Sequence, residues 1–116
     1  MKKLKSIYCL SFFFCLSCMG TIEKTWEVTD FSKTHTFSIE VPENKNVSNV
    51  NIYLSGNYTG KIVLQEEPNY PVMEFEQDSL PERLFIDFYG GKYDIFLLPS
   101  NAEGKLKINI QIPYGP

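Results

Sequence analysis

From residue 105 to 112 the chain alternates without interruption: Leu106, Ile108, Ile110 and Ile112 are apolar, and Lys107, Asn109 and Gln111 stand between them. Successive side chains of an extended strand point to opposite faces, so this segment reads as a strand with one face buried and one in water. The same period of two recurs upstream. Val50, Ile52 and Leu54 alternate with Asn49, Asn51 and Tyr53, and Phe37, Ile39 and Val41 with Thr36, Ser38 and Glu40. Trp26 and Val28 alternate with Glu27 and Thr29. No segment after residue 20 carries a helical period of 3.6.

Turn-forming residues punctuate these runs. Pro42, Asn44 and Asn46 open a loop; Pro68-Asn69 and Pro81 mark further breaks; Pro99-Ser100-Asn101 precedes the last strand. Residues 55–60, with Gly56, Asn57 and Gly60, read as the loop of a hairpin. Gly90-Gly91 suits a two-residue primed turn joining residues 84–89 to 92–98. The expected fold is all-β: a single antiparallel β-sandwich of about eight strands, with a small β-barrel as the alternative.

A two-residue turn at Gly90-Gly91 would set Asp87 opposite Asp94, Tyr89 opposite Lys92 and Phe85 opposite Phe96. Two carboxylates face to face repel. They read either as part of a divalent-cation site or as a solvated, salt-screened pair; calcium takes six to eight oxygens and no Asp-rich loop supplies them, so no metal is expected. Phe85, Phe96, Tyr89 and Leu98 make the same face unusually apolar. A second sheet is expected to cover it, with a binding platform as the alternative.

The first twenty residues belong to a different pattern. Lys2, Lys3 and Lys5 precede an apolar run over residues 7–16, and small residues follow at Ser17, Cys18 and Gly20. That order is a secretory signal, and the run is too short for a stable membrane span. All three cysteines, Cys9, Cys15 and Cys18, lie within it, leaving no disulfide for the rest of the chain. Leu16-Ser17-Cys18 resembles the lipobox of bacterial lipoprotein signal peptides. The resemblance implies diacylation of Cys18 and its conversion into the new N-terminus, with residues 19–24 as a short tether. The other reading is ordinary cleavage after Gly20, where Cys18-Met19-Gly20 meets the small-x-small rule. Residues 1–20 are thus a secretion signal and 21–116 a single all-β domain.

Charge sharpens this picture once the leader is set aside. Removing its three lysines from eleven basic residues leaves eight against fourteen acidic ones, a balance near −6. Such a surface repels phosphate backbones, so no nucleic-acid partner is expected. The only histidine is His35, no G-x-S-x-G surrounds a serine, and no phosphate-binding glycine loop is present. One histidine cannot build a zinc site. Glu66-Glu67, Glu74 and Glu76 invite comparison with glycosidase carboxylates, but Glu74 and Glu76 fall on one strand face and read as solvated. The Asn46-Val47-Ser48 and Asn57-Tyr58-Thr59 tripeptides fit the N-glycosylation pattern, which a bacterial envelope protein does not use.

These observations favour a non-catalytic binding or structural module, exported to the bacterial cell envelope and anchored in a membrane by its N-terminal lipid. No cofactor is expected, and the partner would be a protein or a glycan. The candidate binding residues are Asn57 and Tyr58 in the 55–60 loop, and Asp87, Tyr89 and Asp94 beside the glycine pair. Tyr53, Tyr70 and Tyr114 are further tyrosines near loops or polar faces, and tyrosine serves sugar rings and protein partners alike. Two alternatives stand beside this reading: an inhibitor of a secreted hydrolase or toxin, whose cationic surface the acidic domain would complement, and a carbohydrate-binding module.

Overall fold

The computed structural model describes residues 19–115; residues 1–18, with Cys18, and residue 116 lie outside the described residues. Eight strands form: β1 (Gly20–Val28), β2 (His35–Glu40), β3 (Asn49–Thr59), β4 (Lys61–Gln65), β5 (Met73–Glu76), β6 (Leu84–Asp87), β7 (Lys92–Leu98) and β8 (Glu103–Tyr114). They assemble into two antiparallel four-stranded sheets, ordered β1-β8-β3-β6 and β2-β7-β4-β5. The sheets pack face to face and do not close into a barrel.

The alternating residues build the core. Leu106, Ile108, Ile110 and Ile112 of β8 are wholly buried, as are Val50 of β3, Ile62 and Leu64 of β4, and Ile95 and Leu97 of β7. The intervening polar residues face outward. On the outer face Asn109 Nδ2 donates to Glu23 Oε2 at 2.7 Å and to Thr25 Oγ1 at 2.8 Å, linking β8 to β1. At the β1 and β2 edges the two sheets meet through Trp26 and Phe37, whose rings lie 5.1 Å apart.

Both expected hairpins are absent. β6 pairs with β3, and β7 lies between β2 and β4, so Gly90-Gly91 carries the chain from one sheet to the other. Leu84 and Ile86 therefore pack onto the core from the sheet opposite that of Tyr93, Ile95 and Leu97, instead of beside them. An alternating apolar face is buried equally well by a neighbour in the same sheet or by the sheet opposite, so periodicity does not separate the two. Residues 55–59 continue β3 and pair with residues 103–107 of β8. The chain changes sheet at Gly60, whose φ of 82° suits glycine. Of the seven connections among the described strands, only β4 to β5 stays within one sheet.

Three further expectations change. Phe85 and Tyr89 are 58% and 78% exposed, so no second sheet covers that face. Arg83 instead sets its guanidinium 5.5 Å from the Phe85 ring centroid. Asp87 and Asp94 are not cross-strand partners, since they belong to different sheets. The segment expected to be a tether is strand: Gly20 already pairs with Tyr114, and Lys24 with Ile110.

The strand registers gather one set of segments at one end of the sandwich. Asn49 pairs with Asp87, and Thr21 with Pro113. This end carries Met19, the 41–48 loop, the 66–72 loop, the 88–91 crossover and residues 113–115. Backbone bonds tie the 41–48 loop to the 88–91 crossover and to residue 115: Val41 N–H donates to Gly91 O at 2.9 Å, Phe88 N–H to Ser48 O at 3.2 Å, and Gly115 N–H to Asn46 O at 2.8 Å.

Candidate binding cleft

The cleft originates in a mismatch of strand lengths. β4 stays beside β7 only where residues 63–65 pair with 98–96. β7 continues to Lys92, while the chain after Gln65 turns away into the 66–72 loop. A cleft of about 420 Å³ opens between that loop and β7, and the end of β6 contributes to its wall.

The loop is held by its own hydrogen bonds. Gln65 Nε2 donates to Tyr70 O at 2.7 Å and to Pro68 O at 3.2 Å. Tyr70 N–H donates to Glu67 O at 2.9 Å, closing a turn across Pro68-Asn69. The wall opposite is aromatic: Phe88 meets Tyr93 edge-on at 5.3 Å between ring centroids, and Phe96 lines the same cleft. Four carboxylates border the space, Glu66, Glu67, Asp87 and Asp94, against the single ammonium of Lys92. Tyr93 O–H donates to Glu66 Oε2 at 3.0 Å, and Ser38 O–H donates to Asp94, which fixes two of the four.

Acidic groups spread around aromatic walls suit an organic cation. A guanidinium can stack on a ring while its N–H groups reach carboxylates. A bare metal ion needs its oxygens gathered at one point. Among the described residues no three His, Cys, Asp or Glu side chains are arranged to hold one.

Burial pushes the Tyr93 hydroxyl far above its ordinary value, and the negative charge of Glu66 adds to the effect. Tyr58 shifts in the same direction, first by burial, then through Glu76 and Asp78. An unfolded tyrosine ionises near pH ~10. Above that pH the unfolded chain releases a proton that folded Tyr93 keeps, so stability falls as pH rises, by about 1.4 kcal/mol per pH unit for one such group. Urea unfolding followed from pH ~9 to ~12 will show a steeper loss for the wild type than for Tyr93→Phe.

The candidate residues divide. Asp87 and Asp94 do meet at one site, although by a route other than a hairpin. Tyr89 lies on the 88–91 crossover and does not line the cleft. Tyr58 is buried: its ring packs against Phe31 at 6.4 Å, and its hydroxyl donates to Phe75 O at 3.1 Å. It is a core residue and presents no platform in a loop. Asn57 is exposed on β3 at the opposite end of the sandwich. A more open depression lies there, bordered by Glu76, Gln77 and Asp78. Glu74 and Glu76 are exposed on one face of β5, as a solvated strand requires, with Lys61 Nζ 3.7 Å from Glu74.

His35 Nε2 lies 2.5 Å from Asp30 O, within hydrogen-bonding reach of the 29–34 loop. Tyr93 and Glu66 are the functional candidates that sequence reasoning missed as a pair. They are 27 positions apart, and only the departure of β4 from β7 brings them together.

Among the described residues no helix is long and apolar enough to cross a membrane. Neither a comparison with protein-family models nor one with curated protein sequences returns a match.

Proposed function

We propose that this chain is a non-catalytic binding module of the bacterial cell envelope, held to a membrane by lipid on Cys18, whose cleft receives a cationic side chain of a protein partner. The observation that carries the reading is the cleft itself, with four carboxylates and an aromatic wall against one lysine. The acidic balance outside the leader supports it, since such a surface speeds encounter with a basic partner. A basic secreted hydrolase or toxin is a partner of this chemistry.

Arginine has the right form for the site, being planar, permanently charged and able to stack. The test is an NMR titration with a short arginine peptide and its neutral citrulline counterpart. Arginine should shift the amides of residues 66–70 and 87–96, and citrulline should do so far less. Neutralising the cleft with Glu67→Gln and Asp94→Asn together should weaken arginine binding about tenfold, equivalent to about 1.4 kcal/mol. Added salt should weaken it as well. Equal responses to both peptides, or shifts confined to the opposite end, would remove the cleft from the proposal.

A further inference from the structure

The outward face of the β1-β8-β3-β6 sheet differs in chemistry from the cleft. One row of the register crosses all four strands through Glu23, Gln111, Asn51 and Phe85. At about 4.8 Å between neighbouring strands, the row is about 14 Å long. The next row carries Thr25, Asn109 and Tyr53, with Arg83 just before β6. We infer that this face is a second binding site, for a neutral glycan, independent of the cleft and of the lipid on Cys18.

Asn51 is the residue that carries the inference. It shares the outward face of β3 with Asn49 and Tyr53, yet it is only 8% exposed. Its Oδ1 accepts from Asn49 Nδ2 at 3.3 Å, but its Nδ2 donates to no acceptor among the described residues. A shielded amide donor without a partner is unfavourable, and it marks a place for an acceptor from outside. On the neighbouring strand Gln111 Nε2 donates to Asn109 Oδ1 at 2.8 Å and to Glu23 Oε2 at 3.3 Å, while Gln111 Oε1 accepts no hydrogen bond among the described residues. An open donor and an open acceptor thus stand in one row. The bonds of Asn109 to Glu23 and Thr25 hold the surrounding side chains in place. A hydroxyl both donates and accepts, so two neighbouring sugar hydroxyls fit this pair.

The same rows supply the apolar contact that a pyranose also needs. Phe85 is 58% exposed beside Asn51, and the Arg83 guanidinium, 5.5 Å from its ring centroid, steadies the ring. A flat apolar ring packs against the C–H face of a sugar. Tyr53 stands diagonal to Phe85, about 7–8 Å away in such a ladder. With Glu82 and Arg83 it borders a shallow hollow of about 350 Å³. Charge agrees with a neutral ligand. In these rows and the next, Glu23 and Glu27 are balanced by Arg83 and Lys107, and Glu27 is the register partner of Lys107. The chain outside the leader, by contrast, stands near −6. The cleft draws a cation; this face has no net charge to draw one.

The test is an NMR titration of the full chain, purified after export, with cellohexaose, chitohexaose and maltohexaose in turn. At least one should shift the amides of residues 51–53, 83–85 and 109–111 and leave those of 66–70 and 92–96 in place. Added salt should not weaken that binding, in contrast to arginine in the cleft. Phe85→Ala changes an exposed side chain and should reduce affinity about tenfold or more. Asn51→Asp replaces the open donor by an acceptor and should act in the same direction. Tyr89→Ala, which removes an exposed aromatic outside this face, should bind as wild type does. Three results would overturn the inference: none of the three oligosaccharides binds, the shifts fall on residues 66–70 and 92–96, or Phe85→Ala binds as tightly as wild type. Each leaves the arginine titration of the cleft to be decided by its own outcome.

Discussion

Replacing Ile110 with alanine is expected to cost about 3–4 kcal/mol of folding stability, within the range for emptying a large aliphatic side chain from a tight core. Ile110 is wholly buried in β8, an interior strand, with Lys24 of β1 on one side and Ile52 of β3 on the other. Its side chain points at the opposite sheet, and neighbouring strands hold the backbone on both sides. The space left by the missing carbons cannot collapse without moving a ladder. A domain of this length carries a total stability of roughly 5–15 kcal/mol, so one such change removes a large share. The melting temperature should drop by about 15–25 °C. Lys107→Ala, on the exposed face of the same strand, should change stability by less than about 0.5 kcal/mol. Urea melts of both variants check the pair. An Ile110→Ala protein within about 1 kcal/mol of wild type would mean that this face of β8 is not the centre of the core.

That contrast between Ile110 and Lys107 is legible in the sequence because strand periodicity is a local property. Every second residue of residues 106–112 is apolar, and the structure buries all four of those residues completely. The other strands follow for the same reason, as does the sandwich of eight. Strand pairing was not legible. Glycines at residues 56, 60, 90 and 91 read as hairpin turns because they allow sharp reversals. They allow a jump between sheets equally well. The choice depends on which strand lies across the core, and that is a global property. β3 resolves it through residues 57–59, which extend its ladder with β8 past the expected turn. Tyr58 is carried into the core by the same extension.

The cleft was half legible. Asp87 and Asp94 drew attention through an assumed cross-strand repulsion, and that reason proved wrong. They share a site because β6 ends and β7 begins at the same end of the sandwich, in opposite sheets. Glu66 and Glu67 invite only the comparison with glycosidase carboxylates, since nothing in a short acidic stretch says that β4 will leave β7 beside it. The Tyr93 hydroxyl that meets Glu66 belongs to a residue whose alternation marks it as core, and it is 5% exposed. One side chain therefore serves both the packing and the cleft wall, so Tyr93 joins the stability of the domain to the shape of the site.

A glycine that the turn pattern does not single out is expected to have a large effect. Gly104 lies in β8 opposite Tyr58, with a φ of 127°. A Cβ there would come 2.4 Å from Asn57 O and 2.7 Å from Tyr58 Cα. Both are backbone atoms of β3, so no side-chain rotation relieves the clash, and the two strands would have to separate at that end. The backbone conformation adds its own cost for any residue with a Cβ, about 1–3 kcal/mol. Gly104→Ala should therefore lose about 3 kcal/mol or more. Gly90 separates the two contributions. Its φ is 132°, close to that of Gly104, but a Cβ there would meet nothing within 4 Å. Gly90→Ala should show the conformational cost alone, about 1–2 kcal/mol. Chemical denaturation of both variants reads the difference, and hydrogen exchange at residues 57–59 should show faster opening only for Gly104→Ala. Equal losses would mean that β3 and β8 do not approach so closely there, and the burial of Tyr58 at that end would then need another cause.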